Sequence, residues 1–246
     1  MKPIPPIHFA LTLAALSALT LPVAAQDEWS FDVAPYLWVA SFGAETSLPP
    51  NGPDPRVQEF DTRISGGFMI AAQARYRSVG VLVDFNWLRL NTEALNPGPL
   101  LSGVDLQSDY IYSTAAMTYT LPLHGKLHAE VLAGARLWNV TTDFELKIGG
   151  LTAFESSHSE TWVSPLVGMD LRYDLSRRWL LLGRGTVGGF SDSSVQWDVF
   201  AGVGYQFSDW CLATIGYRYL HEEYTKNNFT FNAEAQGFLV GVGFRF

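Results

Sequence analysis

The last nine residues read Phe238-Leu239-Val240-Gly241-Val242-Gly243-Phe244-Arg245-Phe246. Every second position from Phe238 is a large apolar side chain, and the positions between them are Leu, Gly, Gly and Arg. A period of two is that of a β-strand, whose side chains alternate between faces. One face here is apolar to the terminal aromatic, while the other carries an arginine beside small residues. Such a strand can lay its apolar face against a soluble core or against lipid, so the fold turns on which.

The same alternation returns in Trp29–Leu37, Phe68–Arg77, Val81–Leu88, Leu127–Trp138, Val163–Tyr173, Val199–Phe207 and Cys211–Tyr219. Asp109–Leu121 and Trp179–Phe190 are strand-like, with the direction of each face left open. Together these give ten candidate strands. Tight turns such as Arg77–Gly80, Leu123–Lys126, Asp174–Arg178 and Ser208-Asp209 alternate with longer connections at Glu45–Ile64, Asn91–Asp105 and Lys147–Ser157. After residue 25 no stretch has the helical period or ~18 consecutive apolar residues. No composition shift marks a boundary, so residues 26–246 read as one domain.

Hydrophobic residues make up 48% of the 246, aromatics 14% and charged residues only 16%, against about 25% charged in ordinary globular chains. A mean hydropathy of +0.08 is too polar for a bundle of membrane helices. The lone Cys211 excludes an internal disulfide framework and a cysteine-rich zinc site. At the start, Lys2, the apolar run Phe9–Leu21 and the small residues Val23-Ala24-Ala25 have the order of a secretory signal. Residues 1–25 are therefore expected to be removed. Their loss takes Lys2 and no acid, moving the net charge from −8 to −9.

A soluble sandwich alternates too, so alternation alone does not decide the fold. An export signal, strands as long as the ~9–11 residues a tilted membrane strand needs, and turns short at one end and long at the other all favour a membrane barrel. So do Arg and Asp at mid-strand on the non-apolar faces. Closure removes the unpaired edges an open ten-stranded sheet would expose. The expected fold is all-β, a transmembrane up-and-down antiparallel β-barrel of about ten strands, with eight or twelve as the alternatives.

The ending on Phe244 and Phe246 resembles the C-terminal strand of Gram-negative outer-membrane barrels, whose terminal aromatic is an assembly signal for the barrel-assembly machinery. Further stretches resemble a family of small, mostly uncharacterised OmpA-like outer-membrane barrels: Trp162–Gly168, Arg172–Ser176, Gly183–Phe190, Ala201–Tyr205 and Gly216–Leu220, with Pro35–Trp38 a looser match. Thr186 stands where that family leads one to expect an acid. The resemblance implies an outer-membrane location with both termini periplasmic. It implies contact with outer-membrane lipid and lipopolysaccharide, but no established activity.

Assigning faces by parity turns six acids (Asp32, Asp84, Asp109, Glu130, Asp170, Asp198) and six bases (Arg75, Arg136, Arg172, Arg184, Arg218, Arg245) into the lumen. Buried charges persist only when paired, and ten strands lie near the size at which side chains fill a barrel. A mostly plugged, charge-paired lumen is therefore expected. Fourteen acids, among them Glu160, Glu222, Glu223 and Glu234, fall at the outer end against five bases, including Arg89. Trp29, Tyr76, Tyr119, Tyr173, Trp179 and Trp210 read as the inner aromatic belt, and Trp87, Tyr110, Trp197 and Tyr219 as the outer one.

No nucleophile elbow, phosphate loop, zinc spacing or dinucleotide fingerprint is present, and the acidic balance argues against nucleic acid. His158 and His221 at outer strand ends are the only histidines placed for rim chemistry, and Ser157 and Ser159 fall on the face opposite His158. The expectation is a non-catalytic structural or surface-interaction barrel without metal or cofactor. A narrow, weakly cation-favouring pore and a lipid-active rim enzyme are the alternatives. Oligomeric state is not legible.

Overall fold

The computed structural model describes residues 28–46, 63–94, 103–148, 151–191, 194–226 and 229–246. The expected signal segment lies outside them. Ten strands follow one another: β1 Trp29–Thr46, β2 Arg63–Tyr76, β3 Val79–Ala94, β4 Gly103–Thr120, β5 Leu127–Ile148, β6 Leu151–Asp174, β7 Trp179–Ser191, β8 Ser194–Ser208, β9 Cys211–Lys226 and β10 Phe229–Arg245. Each pairs antiparallel with its sequence neighbours, and β1 pairs with β10 to close the barrel. At the seam Asp32 stands opposite Arg245, and Phe31 and Phe246 exchange both backbone hydrogen bonds. The nine quoted residues are the closing strand.

All ten sequence-read strands are present, each longer than its alternation alone indicated. The largest revision falls on Lys147–Ser157, expected as a long connection. β5 runs on to Ile148 and β6 starts at Leu151, leaving two residues between them. Those two are Gly149-Gly150. Likewise only two residues separate β7 from β8 and β9 from β10. Length at this end therefore goes into the strands of the β4–β6 wall.

Burial alternates along much of the barrel wall. Phe238 and Val240 on β10, Val163 and Val167 on β6, and Val81 and Val83 on β3 are exposed apolar side chains on the outer face. An apolar exterior around a charged interior inverts a soluble protein and suits lipid. The six expected inner-belt aromatics are all exposed on that exterior. Tyr110 is not in the outer belt, for it is buried inside the barrel. The even positions of β4, Ser108 to Thr118, point inward and its odd positions outward.

Candidate functional site: the barrel lumen

From the short-turn end the lumen passes through three layers. The first is an open cup of about 710 Å³. One wall carries long charged side chains. Arg75 reaches Glu130 at 2.6 Å and Asp32 at 3.7 Å, and Arg245 reaches Asp32 at 2.8 Å. Arg184 grips Asp170 with two bonds of 2.6 and 2.8 Å. Arg172 pairs with Asp174 at 3.0 Å, and the other oxygen of Asp174 lies 3.1 Å from His128 Nε2. Between these charged side chains the lining is Ala34, Ala71, Thr214, Gly241 and Gly243, whose small side chains leave the space open.

The cup ends on a buried ionic layer. Asp198 accepts from Arg136 Nη2 at 2.8 Å and from Arg218 Nε and Nη2 at 3.0 and 2.7 Å. Arg218 also stands 3.8 Å from Asp84, and its Nη1 donates to the Tyr36 hydroxyl, which donates onward to Asp84 at 2.6 Å. Arg136 is held from behind by Thr114 at 2.9 Å. The side chains of Arg136 and Asp198 are only 2% exposed and that of Arg218 5%. Planar guanidiniums suit this shared carboxylate: Arg218 matches both oxygens edge-on, and Arg136 takes one of them. Arg218 also stacks 4.9 Å from the Trp38 ring and Arg136 5.6 Å from that of Tyr112.

Beyond the ionic layer, aromatic rings fill the bore. Tyr112 stacks on Trp138 at 4.6 Å, Trp138 on Trp162 at 5.8 Å, and Trp162 on Tyr224 at 4.7 Å. Phe231 tilts against Trp138 and Trp162. Leu88, Leu90, Val140 and Leu220 complete this buried cluster. These rings come from β4, β5, β6, β9 and β10, so the plug spans the barrel rather than lining one wall. Glu222 sits inside it, its Oε1 accepting from Trp162 Nε1 at 3.0 Å and from Ser164 Oγ at 3.3 Å.

Eleven of the twelve lumen charges expected from sequence are placed inside: Asp32, Asp84, Glu130, Asp170, Asp198, Arg75, Arg136, Arg172, Arg184, Arg218 and Arg245. Asp109 is the exception. It shares the outward parity of β4 with Met117 and Tyr119, and there Arg89 holds it with two bonds of 2.7 and 3.0 Å on the exterior. Asp174, expected at the periplasmic end, pairs with Arg172. Glu222 also departs from expectation: it is buried in the lumen, not exposed at the outer end. The aromatic plug was missed, although Trp138 shares its parity with Arg136, and Trp162 shares its parity with Asp170 and Arg172.

His221 turns outward, its Nδ1 3.6 Å from Glu234. The side chain of His158 lies outside the described residues. At the short-turn rim, the Tyr76 hydroxyl and the Arg77 guanidinium both bond Glu28 and hold its carboxyl below the ordinary value.

The model of the outer membrane protein beta-barrel domain matches residues 11–246. The chain belongs to that family. No curated protein matches it. Among solved structures, the outer-membrane protease OmpT of Escherichia coli is 7% identical over 89% of this chain and 94% of its own, with a TM-score of 0.53. Ail, the attachment invasion locus protein of Yersinia pestis, is 12% identical over 89% and 99%, with a TM-score of 0.35. OprG of Pseudomonas aeruginosa is 12% identical over 89% and 96%, with a TM-score of 0.33. At these identities the family member shares a barrel fold with OmpT and nothing further is carried over. This outer-membrane barrel differs from an open pore in one respect visible here: an open, charge-lined cup at one end faces a packed aromatic plug at the other.

Proposed function

We propose that this outer-membrane barrel is a closed, non-catalytic wall element of the Gram-negative envelope that works through its surface, with both termini and the cup on the periplasmic side. The carrying observation is the stacked plug of Tyr112, Trp138, Trp162, Tyr224 and Phe231 above the buried Arg136–Asp198–Arg218 layer. An ion crossing would have to leave water against apolar rings and displace a paired charge set, each costing several kcal/mol. Placing the termini in the periplasm is supported by the two longest connections, 47–62 and 95–102, lying at the opposite end, where β5 and β6 also run well past the ~9–11 residues a membrane needs.

Planar-bilayer recording of the refolded mature chain tests this. A silent membrane with folded protein is expected, and reproducible conductance steps would refute closure. The second reading, a narrow weakly cation-favouring pore, draws on the cup, which already hydrates the periplasmic half. It requires the aromatic plug to part. Phe246 and Phe244 are proposed as the assembly signal. Deleting Phe246 should lower the amount of assembled barrel in cells while leaving detergent refolding intact, and unchanged assembly would sink that role.

A further inference from the structure

β6 runs from Leu151 to Asp174, and β5 pairs it from Leu151 to Tyr173. β7 pairs it only from Leu166 to Asp174. Among the described residues, no strand lies against the β7 side of β6 along residues 157–163. The ladder stops for a chemical reason. The carbonyl of Pro165 faces β7 beside Gly188, as that of Gly185 faces β6 beside Gly168, so the odd residues of β6 turn their backbone groups toward β7. Pro165 has no N–H to give there. At the same level β7 leaves, with φ of +88° at Gly189 and +45° at Phe190.

By the same parity, Ser157, Ser159, Thr161 and Val163 each direct an N–H and a C=O to the open side. Their outer face is hydroxylated and already ordered: Asn139 donates to Thr161 at 2.7 Å, and Thr141 to Ser159 at 3.1 Å. That polar surface puts the edge in water, beyond the apolar band that ends near Val163. Exposed edges are usually blunted by lysine, proline or a covering loop. Above Pro165 this run carries none of the first two at 157–163.

We infer that the open edge of β6 is a docking site for an extended, basic polypeptide segment that adds as a strand above the β7–β8 hairpin. Backbone bonds at 157, 159, 161 and 163 supply register, as in other strand-addition sites. The sign of the segment follows from its surroundings. Asp143, its side chain exposed, stands opposite Ser157 on β5, and Glu160 lies within the open run of β6 itself. A second copy of this chain does not fit. Two barrels upright in one membrane are related by a two-fold along the membrane normal, and strands tilted about 35–45° to that axis would cross steeply instead of pairing.

The site rests on the surface-interaction reading, but the two fail separately, since a conducting barrel would leave this edge untouched. The probe is an acetylated, amidated nine-residue peptide of alternating threonine and lysine, added to the refolded protein in zwitterionic micelles. Residue-resolved amide exchange should slow at least tenfold at Ser157, Ser159, Thr161 and Val163. The amides of Glu160, Trp162 and Ser164, which face β5, should not change. Thr161→Pro, or Ser159→Pro if the first fails the heat-dependent gel shift of a folded barrel, should abolish the protection, and Thr161→Val should keep it. No protection at millimolar peptide would overturn the site. So would protection that survives the proline variants, or protection that appears with rising protein concentration and no peptide.

Discussion

Replacing Asp198 by asparagine removes one negative charge from a layer where a single carboxylate serves two guanidiniums. Besides the amide oxygen, Arg136 would keep its neutral bond to Thr114 and the Tyr112 ring, and Arg218 would keep Asp84 at 3.8 Å, the Tyr36 hydroxyl and the Trp38 ring. Leaving a buried charge without its partner costs about 3–5 kcal/mol. The amide retains the shape and one acceptor, so the lower half of that range is expected, about 3 kcal/mol. Asp170→Asn is the internal control. Its pair with Arg184 has two equally short bonds, but the arginine side chain is 30% exposed to the cup. Water there can take over the lost contacts, and about 1 kcal/mol or less is expected. Urea unfolding of both variants in lipid vesicles, followed by tryptophan fluorescence, measures the difference. Equal losses below about 1 kcal/mol would show that water reaches the ionic layer, and the argument that burial sets its strength would fall. A third variant, Asp198→Ala with Arg136→Met and Arg218→Met, should recover much of the loss, because apolar replacement of a whole buried set is often near neutral.

Three further outcomes follow from the same geometry. Trp138→Ala combined with Trp162→Ala should open the bore and produce bilayer conductance where the parent is silent, at a stability cost of about 3–5 kcal/mol for each ring; silence in a folded double variant would place closure in the ionic layer alone. Gly237→Ala should be strongly destabilising in the same urea assay, since its Cβ would fall 2.0 Å from the carbonyl of Val39 on the neighbouring strand; wild-type unfolding would contradict the close approach at the β1–β10 seam. The Glu28 carboxylate is favoured when folded, so the clasp to Tyr76 and Arg77 is present above the ordinary carboxylate pKa of 4.5 and lost as pH falls through the lower folded value. Amide protection at Arg77, measured against the intrinsic exchange rate at each pH, should therefore fall on acidification below that point, and Glu28→Gln should remove this loss.

How much of this was legible beforehand depends on parity. Alternation left the faces of the Arg184 strand open, but it turned Arg136, Arg218 and Asp198 inward correctly, because each lies in a strand with an unambiguous apolar face. β4 lacks one. Ile111, Ala115 and Met117 on its outer face are matched by Tyr110, Tyr112 and Ala116 on its inner face, and Asp109 was turned the wrong way. Consistency could have corrected it: Tyr119, read as an exterior aromatic, is ten residues from Asp109 and so on the same face.

The sequence by itself determined a closed barrel of about ten strands, with eight or twelve left open, and most of the inward arginines, since these follow from a period of two and the lipid's demand that every backbone group be bonded. Only the tertiary structure decided which charges meet, because partners such as Arg136 and Asp198 are brought together across the bore, not along a ladder. It also decided that inward rings from β4, β5, β6, β9 and β10 converge into one plug, and that β6 outruns β7. Those are properties of register and of how strands of unequal length close around an axis, and no single strand carries them.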